Sequence, residues 1–171
     1  FKPRRTEEEF IKECPWATTG RVGGRKPNII TSLELRSEEM EVINLRIQKK
    51  YKEIEEREVR FEEYLLEDAE YAIVAFGSAA RIAKKSIEIA RSQGVKVGLL
   101  RPITLWPFPT KEVQKLASKV KGILSLEINA GQMVEDIRLA VEGKVPVQHF
   151  GRLGGIIPDP DEVVDAIKRL F

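Results

Sequence analysis

The chain has 171 residues, with 29 Lys and Arg against 27 Asp and Glu, one Cys, one His and a formal net charge of +2. A balance this even argues against binding nucleic acid through a broad basic face. One Cys and one His also exclude a disulfide framework within the chain, a Cys₄ iron–sulfur cluster and a closed zinc site. We therefore expect a soluble, cytoplasmic protein that holds few of the residues that usually carry chemistry.

The sequence offers no segment that suits a membrane or a secretory signal. The longest apolar run, residues 71–76, is far shorter than the roughly 18 residues that a membrane span requires. No basic and apolar signal opens the chain, and its start at Phe1 rather than Met suggests a processed product or an excised fragment.

Residues 1–67 are predicted to be an irregular arm and a linker helix. Residues 1–30 lack an apolar period and hold turn-forming residues at several positions: Pro3, Pro15, Gly20, Gly23, Gly24 and Pro27. A long helix with Ser37 as N-cap follows. Its apolar stripe recurs at helical spacing through Met40, Ile43, Ile47, Tyr51 and Ile54. Val59 and Phe61 suggest a short extended segment after it.

Residues 68–171 are predicted to form one α/β domain. Four apolar strands, at 71–76, 95–100, 122–128 and 145–150, alternate with helices at 78–93, 110–120, 131–141 and from 160 onward. Ser78, Thr110 and Asp159 are the predicted N-caps. Strands that are apolar throughout indicate a mainly parallel sheet with helices on both faces, which is a three-layer α/β/α, doubly wound fold.

Ligands of such sheets bind at the carboxyl ends of the strands, so the residues that follow each strand are the candidate site. Gly77 and Ser78 lie between a strand and a helix N-terminus, where free amides could hold the phosphate of a cofactor. The full G-x-G-x-x-G pattern is missing, which favours a tight turn with Ser78 as helix cap.

Glu127, at the end of the third strand, has two interpretations. A buried carboxylate there could be a general base with a raised pKa. It could equally pair with Arg101 on a neighbouring strand end, or accept hydrogen bonds from Asn129 or Gln132. We favour the structural pair, because no second catalytic group lies near Glu127 in the sequence.

His149 is the one histidine of the chain, and Cys14 is its one cysteine. A lone His at the end of the last strand is more often packed or hydrogen-bonded than a base or a ligand. Cys14 has no partner base in the sequence around it, which argues against a catalytic thiolate.

Trp106 opens an apolar loop that runs through Pro107 and Phe108 to Pro109. Such a loop at a strand end either docks a protein partner or folds back onto the sheet, and the sequence leaves both interpretations open.

Three strings carry a family likeness: Gly-Ser-Ala-Ala-Arg-Ile at 77–82, the run at 94–109 that ends Arg-Pro-Ile-Thr-Leu-Trp-Pro-Phe-Pro, and Glu-Ile-Asn-Ala-Gly-Gln-Met-Val-Glu-Asp at 127–136. They resemble the carboxy-terminal part of the alpha-type subunit of 2-oxoacid:ferredoxin oxidoreductases. The arm at 15–20 and the segments 50–51 and 58–62 resemble the 3-methyl-2-oxobutanoate (2-ketoisovalerate) branch.

The resemblance implies a transketolase carboxy-terminal-like domain in an enzyme that oxidatively decarboxylates a 2-oxo acid to an acyl-CoA and reduces ferredoxin. It implies thiamine diphosphate with Mg²⁺, iron–sulfur clusters and CoA in the complete enzyme, with the thiamine-binding and iron–sulfur subunits as partners and ferredoxin as an indirect one. We expect this chain to bind none of these cofactors alone, to be inactive by itself and to contribute no catalytic residue. Fold maintenance and domain contacts are assigned to Arg101, Trp106, Glu127, Asn129 and Gln132.

Two alternatives remain open at this point. One is a free-standing Rossmann-like module that binds a nucleotide or CoA through Gly77 and Ser78. The other is a protein-interaction module that uses the loop from Trp106 to Pro109.

Overall fold

The computed structural model describes residues 6–14, 16, 17, 20, 24, 26, 27, 29 and 31–170. The chain divides into two compact units, Phe1–Leu45 and Arg46–Phe171. The boundary expected from the sequence, between an arm and linker helix at 1–67 and an α/β domain at 68–171, stays a prediction.

The first unit contains a short helix that the sequence interpretation missed. Helix α1 spans Glu7–Glu13, inside the stretch predicted to be irregular, so that prediction is wrong there. The Thr6 hydroxyl accepts the Glu9 amide at 3.2 Å, and the Glu9 carboxylate accepts the Thr6 amide at 2.9 Å. This reciprocal capping box is readable in the sequence as Thr-x-x-Glu. The predictions for Pro3, Pro15 and Gly23 fall outside the described residues.

Helix α2 spans Ser37–Arg57, so the predicted long helix is confirmed, and the division between the two units falls within it. None of its residues is buried. Met40, Ile43, Ile47 and Ile54 are half-buried, whereas Tyr51 is exposed. The apolar stripe therefore exists, but it gains only part of the stabilisation of a core face.

After the end of α2, the second unit holds a five-stranded sheet and four further helices in the order β1 (Phe61–Tyr64), β2 (Tyr71–Ala75), α3 (Gly77–Ser92), β3 (Val97–Pro102), α4 (Thr110–Ala117), β4 (Ile123–Glu127), α5 (Met133–Val141), β5 (Val147–Gly151) and α6 (Pro160–Lys168). The strand order is β1-β3-β2-β4-β5. Strands β2 to β5 are parallel, and β1 pairs antiparallel with β3. The predicted mainly parallel sheet is confirmed, with one further edge strand that begins at Phe61.

Helices cover both faces of this sheet. Because successive side chains of a strand point to opposite faces, Ile73, Leu99 and Leu126 pack under α3 and α6 on one face. Val74 and Leu100 pack under α4 and α5 on the other. Burial of each such side chain contributes roughly 1.5–3 kcal/mol. The result is the predicted three-layer fold.

The helix starts only partly follow the predicted caps. Asp159 caps α6 in a capping box with Glu162, and Pro160 is the first helical residue, as predicted. The predictions that Ser78 and Thr110 are N-caps are wrong, because the N-cap of each helix lies earlier in the chain. Phe76 and Pro109 are the N-caps, and neither α3 nor α4 has a side-chain cap. Gly77 is already helical in its hydrogen bonding, with a φ of +56°, which L side chains rarely adopt.

Candidate functional site

The candidate site residues lie on loops that share one edge of the sheet. Strands β2, β3, β4 and β5 run parallel, so their carboxyl ends meet at the same edge. Strand β2 is central: α3 leads from it to β3 on one side, and α4 then crosses to β4 on the other. The loops after β2 and β4 therefore flank the point at which the strand order reverses.

Glu127 is fully buried at the end of β4, with 0% of its surface exposed. Its Oε1 accepts the Ser125 hydroxyl at 2.9 Å and the Val134 amide at 3.0 Å. Its Oε2 accepts the Met133 amide at 2.9 Å and the Gln132 amide at 3.1 Å. The carboxylate therefore caps the first turn of α5 from inside the protein.

These donors favour the ionised form of Glu127. Burial raises the pKa of this carboxyl, but the Met133 and Gln132 amides, the Ser125 hydroxyl and the Val134 amide together hold it below the ordinary value of 4.5. A carboxylate with four donors and a lowered pKa is poorly suited to take a proton at neutral pH. The interpretation as a general base with a raised pKa is therefore wrong.

The predicted pair between Glu127 and Arg101 is also wrong. Strand β2 lies between β3, which carries Arg101, and β4, which carries Glu127. Arg101 Nη1 instead donates to Glu62 Oε2 at 2.9 Å on the antiparallel edge strand. Lys84 donates to the other oxygen of Glu62, and this bond, together with that from Arg101, lowers the pKa of the Glu62 carboxyl against the opposing effect of desolvation.

Asn129 and Gln132 shape the turn between β4 and α5. Asn129 Oδ1 accepts the Gly131 amide at 2.7 Å, while Gly131 has a φ of +106°. Gln132 is the N-cap residue of α5 and donates its amide to Glu127. The sequence offered Asn129 and Gln132 as hydrogen-bond donors to Glu127. Gln132 does donate to Glu127, through its backbone amide, whereas the Asn129 side chain bonds to Gly131 in its own turn.

His149 lies in the middle of β5 rather than at its end, with 22% of its side chain exposed. Its Nε2 is buried without a hydrogen-bond partner and lies 3.9 Å from Glu127 Oε1. A Cβ on Gly131 would lie 3.5 Å from the imidazole ring. The structure therefore packs this side chain under the β4–α5 turn.

Gly77 and Ser78 are both exposed at the start of α3. The first turn of this helix has neither a side-chain cap nor an acidic residue. Cys14, in the first unit, is a half-buried free thiol.

Trp106 remains 54% exposed, so its indole does not fold back onto the sheet. The ring meets Tyr51 edge-to-face with the centroids 5.2 Å apart. The peptide bond to Pro107 is cis, and Pro107 and Pro109 are buried. A cleft of about 690 Å³ lies beside the loop, between the last turns of α2, the start of β1 and the start of α4.

Residues 69–163 match the family profile described as pyruvate:ferredoxin oxidoreductase core domain II. The chain belongs to this family. The matched segment begins just before β2 and reaches into α6, so it contains every strand-end loop described above. The resemblance drawn from the sequence strings is thereby confirmed.

Curated relatives agree with this assignment. The chain is 42% identical to the ketoisovalerate oxidoreductase subunit VorB of Methanothermobacter thermautotrophicus over 99% of its own length and 48% of the relative's. It is 31% identical to the 2-oxoglutarate synthase subunit KorA of Methanothermobacter marburgensis over 61% of its own length and 28% of the relative's. The chain thus spans about half the length of this ketoisovalerate oxidoreductase subunit.

Solved structures show the same fold. The 2-oxoglutarate:ferredoxin oxidoreductase from Magnetococcus marinus superposes with a TM-score of 0.71 at 21% identity, over 90% of this chain and 28% of that one. A split-gene transketolase superposes with a TM-score of 0.56 at 16% identity, over 65% of this chain and 41% of that one. The predicted transketolase-like fold of core domain II is therefore confirmed.

The sequence interpretation missed three features of this edge of core domain II. Ser125 and Glu62 hold the two charged predicted residues, Glu127 and Arg101. Ser125 lies two residues before Glu127 on the same face of β4, so the spacing could have indicated this contact, whereas Glu62 and Arg101 are too far apart along the chain to leave a local signal. The third is a turn at 153–156, closed by the Ile156 amide on the Leu153 carbonyl at 3.2 Å. The Gly154-Gly155 dipeptide could have predicted that turn.

Among the described residues, no helix is both long and apolar enough to cross a membrane. In the same residues, no three His, Cys, Asp or Glu side chains come together in a way that could hold a metal ion.

Proposed function

We propose that this chain is a structural and assembly domain of a thiamine diphosphate-dependent 2-oxoacid:ferredoxin oxidoreductase. The observation that carries the proposal is the match of residues 69–163 to core domain II. The enzyme would oxidatively decarboxylate a 2-oxo acid to an acyl-CoA and reduce ferredoxin, and we place it in the cytoplasm.

A branched-chain 2-oxo acid is the proposed substrate of the complete enzyme. Support comes from the extent of the similarity. The match to the ketoisovalerate oxidoreductase subunit runs over 99% of the chain, whereas the match to the 2-oxoglutarate synthase subunit covers 61%.

The catalytic groups and cofactors are proposed to lie on other parts of the enzyme. Among the described residues Glu127 is the buried charged side chain, and four donors already occupy its oxygens. This supports assigning thiamine diphosphate with Mg²⁺ to another part of the enzyme. Thiamine-binding and iron–sulfur subunits would supply these groups.

Activity measurements test the proposal. The purified chain is expected to reduce no ferredoxin when supplied with 3-methyl-2-oxobutanoate, thiamine diphosphate, Mg²⁺ and CoA. The assembly isolated from native cells through a tag on this chain is expected to do so. Ferredoxin reduction by the chain alone, or an isolated assembly without this activity, would contradict the proposal.

A further inference from the structure

Exposed apolar side chains are unevenly distributed over the second unit. Between residues 58 and 170, nine large apolar side chains are exposed. Leu65, which follows β1, and Leu139, on α5, lie apart from the rest. The other seven follow or face the carboxyl ends of β3 and β5, and we call them the apolar edge: Phe61, Ile103, Leu105, Trp106, Leu153, Ile156 and Ile157.

The sheet topology places these seven residues in two groups along one edge of the sheet. Phe61 is opposite Pro102, the last residue of β3, and residues 103–106 follow directly. The turn with Leu153, Ile156 and Ile157 follows β5. Since β2 and β4 separate β3 from β5, the two groups lie about 14 Å apart at the usual strand spacing. The exposed residues Gly77, Ser78 and Ala130 between them are small.

Hydrogen bonds hold the backbone of both groups in place. The Ile103 amide donates to the Arg60 carbonyl at 2.9 Å, and the Thr104 hydroxyl accepts the Arg60 amide at 3.0 Å. On the other side, Ile156 closes its turn on Leu153, next to an ion pair from Arg152 to Glu162 at 3.2 Å. The apolar side chains are therefore presented to water by an ordered backbone, as in a preformed interface.

Three arginines near this edge form ion pairs within the chain. Arg60 pairs with Glu58 at 3.2 Å, Arg101 with Glu62 at 2.9 Å, and Arg152 with Glu162 at 3.2 Å. Each pair offsets one positive charge, which weakens the attraction of this edge for the phosphates of a nucleic acid or an anionic membrane. The complementary partner is therefore a largely apolar protein face.

The size of the edge fits a stable contact. With about half of each side chain exposed, the seven residues present on the order of 700 Å², close to the roughly 800 Å² that one partner contributes to a stable interface. The curated ketoisovalerate oxidoreductase subunit is about twice as long as its match to this chain. A neighbouring domain in the same enzyme is therefore the partner that these observations favour.

We propose that the apolar edge docks against an apolar face of a neighbouring domain of the same oxidoreductase. This inference rests on the proposed function and adds the surface through which the domain joins the enzyme. Residues 153–157, which lie at the end of the sheet opposite to Trp106, are a part of that surface that the sequence did not indicate.

A matched pair of substitutions tests the surface. Ile157→Asp places a charge on the apolar edge at a side chain that is 69% exposed, and Leu139→Asp places one on α5 at a side chain that is 76% exposed. Leu105→Asp probes the other end of the edge. Each tagged chain is produced in its native host, and native mass spectrometry measures the fraction of chain in the thiamine diphosphate-containing assembly.

We expect the affinity of assembly to fall at least tenfold for Ile157→Asp and Leu105→Asp, and less than twofold for Leu139→Asp. Thermal unfolding of each purified chain shows that the variants are folded. If all three assemble like the unsubstituted chain, the docking surface is wrong and the proposed function stands. If the unsubstituted chain enters no such assembly, the proposed function fails. If it instead forms a dimer of itself that Ile157→Asp dissociates, the partner named here is wrong.

Discussion

At the scale of single residues, Glu127 joins three successive amides at the start of α5 to the Ser125 hydroxyl of its own strand. Buried charges are tolerated only when partners satisfy them, and here each oxygen accepts two bonds. The negative charge also lies at the positive end of the helix dipole. The side chain therefore fixes the β4–α5 turn at the edge of the sheet.

Substitution of Glu127 by Gln is expected to lower the free energy of unfolding by about 2–4 kcal/mol, because an amide NH₂ would then face backbone N–H donors. Urea unfolding followed by circular dichroism measures this. Glu135→Gln is the matched control, since Glu135 forms an exposed ion pair with Arg138 at 2.8 Å in the same helix, and we expect it to cost under about 1 kcal/mol. Equal losses for the two variants would contradict this role.

The stabilisation from Glu127 also depends on pH. Its pKa in the folded protein lies below the ordinary value of 4.5, so its contribution is complete above that value and is lost as the pH falls through the folded pKa. The difference in unfolding free energy between the unsubstituted chain and Glu127→Gln should therefore shrink between pH 5 and pH 3. A difference that stays constant over this range would show that the carboxylate charge is not what stabilises the turn.

At the scale of elements, the turn from β1 to β2 crosses closely over β3. The Leu65 backbone and the Leu66 side chain lie above Gly98. A Cβ added to Gly98 would come within 2.7 Å of Leu66 Cδ2. Arg91 clamps this crossing from α3, donating to the Leu65 and Val97 carbonyls, each at 2.8 Å. Strand β1 is therefore held in place by the close contact between Leu65 and Gly98 as well as by its backbone hydrogen bonds to β3.

Gly98→Ala is expected to destabilise the chain by about 1–3 kcal/mol, because the rigid Leu65 backbone must move. Gly122→Ala is the control: Gly122 is also buried, but a Cβ there would meet its nearest neighbours at 3.7 Å, so we expect a change within about 1 kcal/mol. Thermal denaturation of the two variants compares them. A Gly98→Ala chain as stable as Gly122→Ala would contradict the close approach.

Elements with continuous apolar runs could be predicted from the sequence, and those that depend on distant partners could not. Strands β2, β3 and β4 bury nearly every side chain, so their composition identifies them, while β5 is an edge strand with no fully buried residue. For strand β1, Phe-Glu-Glu-Tyr, the sequence indicated a short extended segment, but its antiparallel pairing with β3 depends on a distant partner. Glu127 was recognised as important, but its partner depended on the strand order, which puts β2 between it and Arg101.

At the scale of the whole molecule, ion pairs within the chain offset the charge of three arginines near the carboxyl edge. Arg60, Arg101 and Arg152 each bond to a carboxylate of this chain. The α3 N-terminus also lacks the complete glycine pattern of a dinucleotide site. A domain built in this way is suited to protein contacts more than to phosphate ligands.

Calorimetry with CoA and with ATP is therefore expected to give no saturable heat at millimolar ligand. This measurement addresses the interpretation as a free-standing nucleotide- or CoA-binding module. Saturable binding with a dissociation constant in the micromolar range, weakened by Arg101→Ala, would favour that module instead. Lys119→Ala, which changes an exposed lysine on the far side of α4 from the strand-end loops, would serve as its control.

The Gly154-Gly155 turn has a consequence for proteolysis. Both glycines have positive φ values, +63° and +84°, and lie at an exposed tip, which is where proteases cut folded proteins most readily. A cut there would break the covalent link between α6 and the rest of the chain. Val163, Val164 and Ile167 would still be buried against α3 and the sheet, so the nicked protein should migrate as one particle until it is denatured.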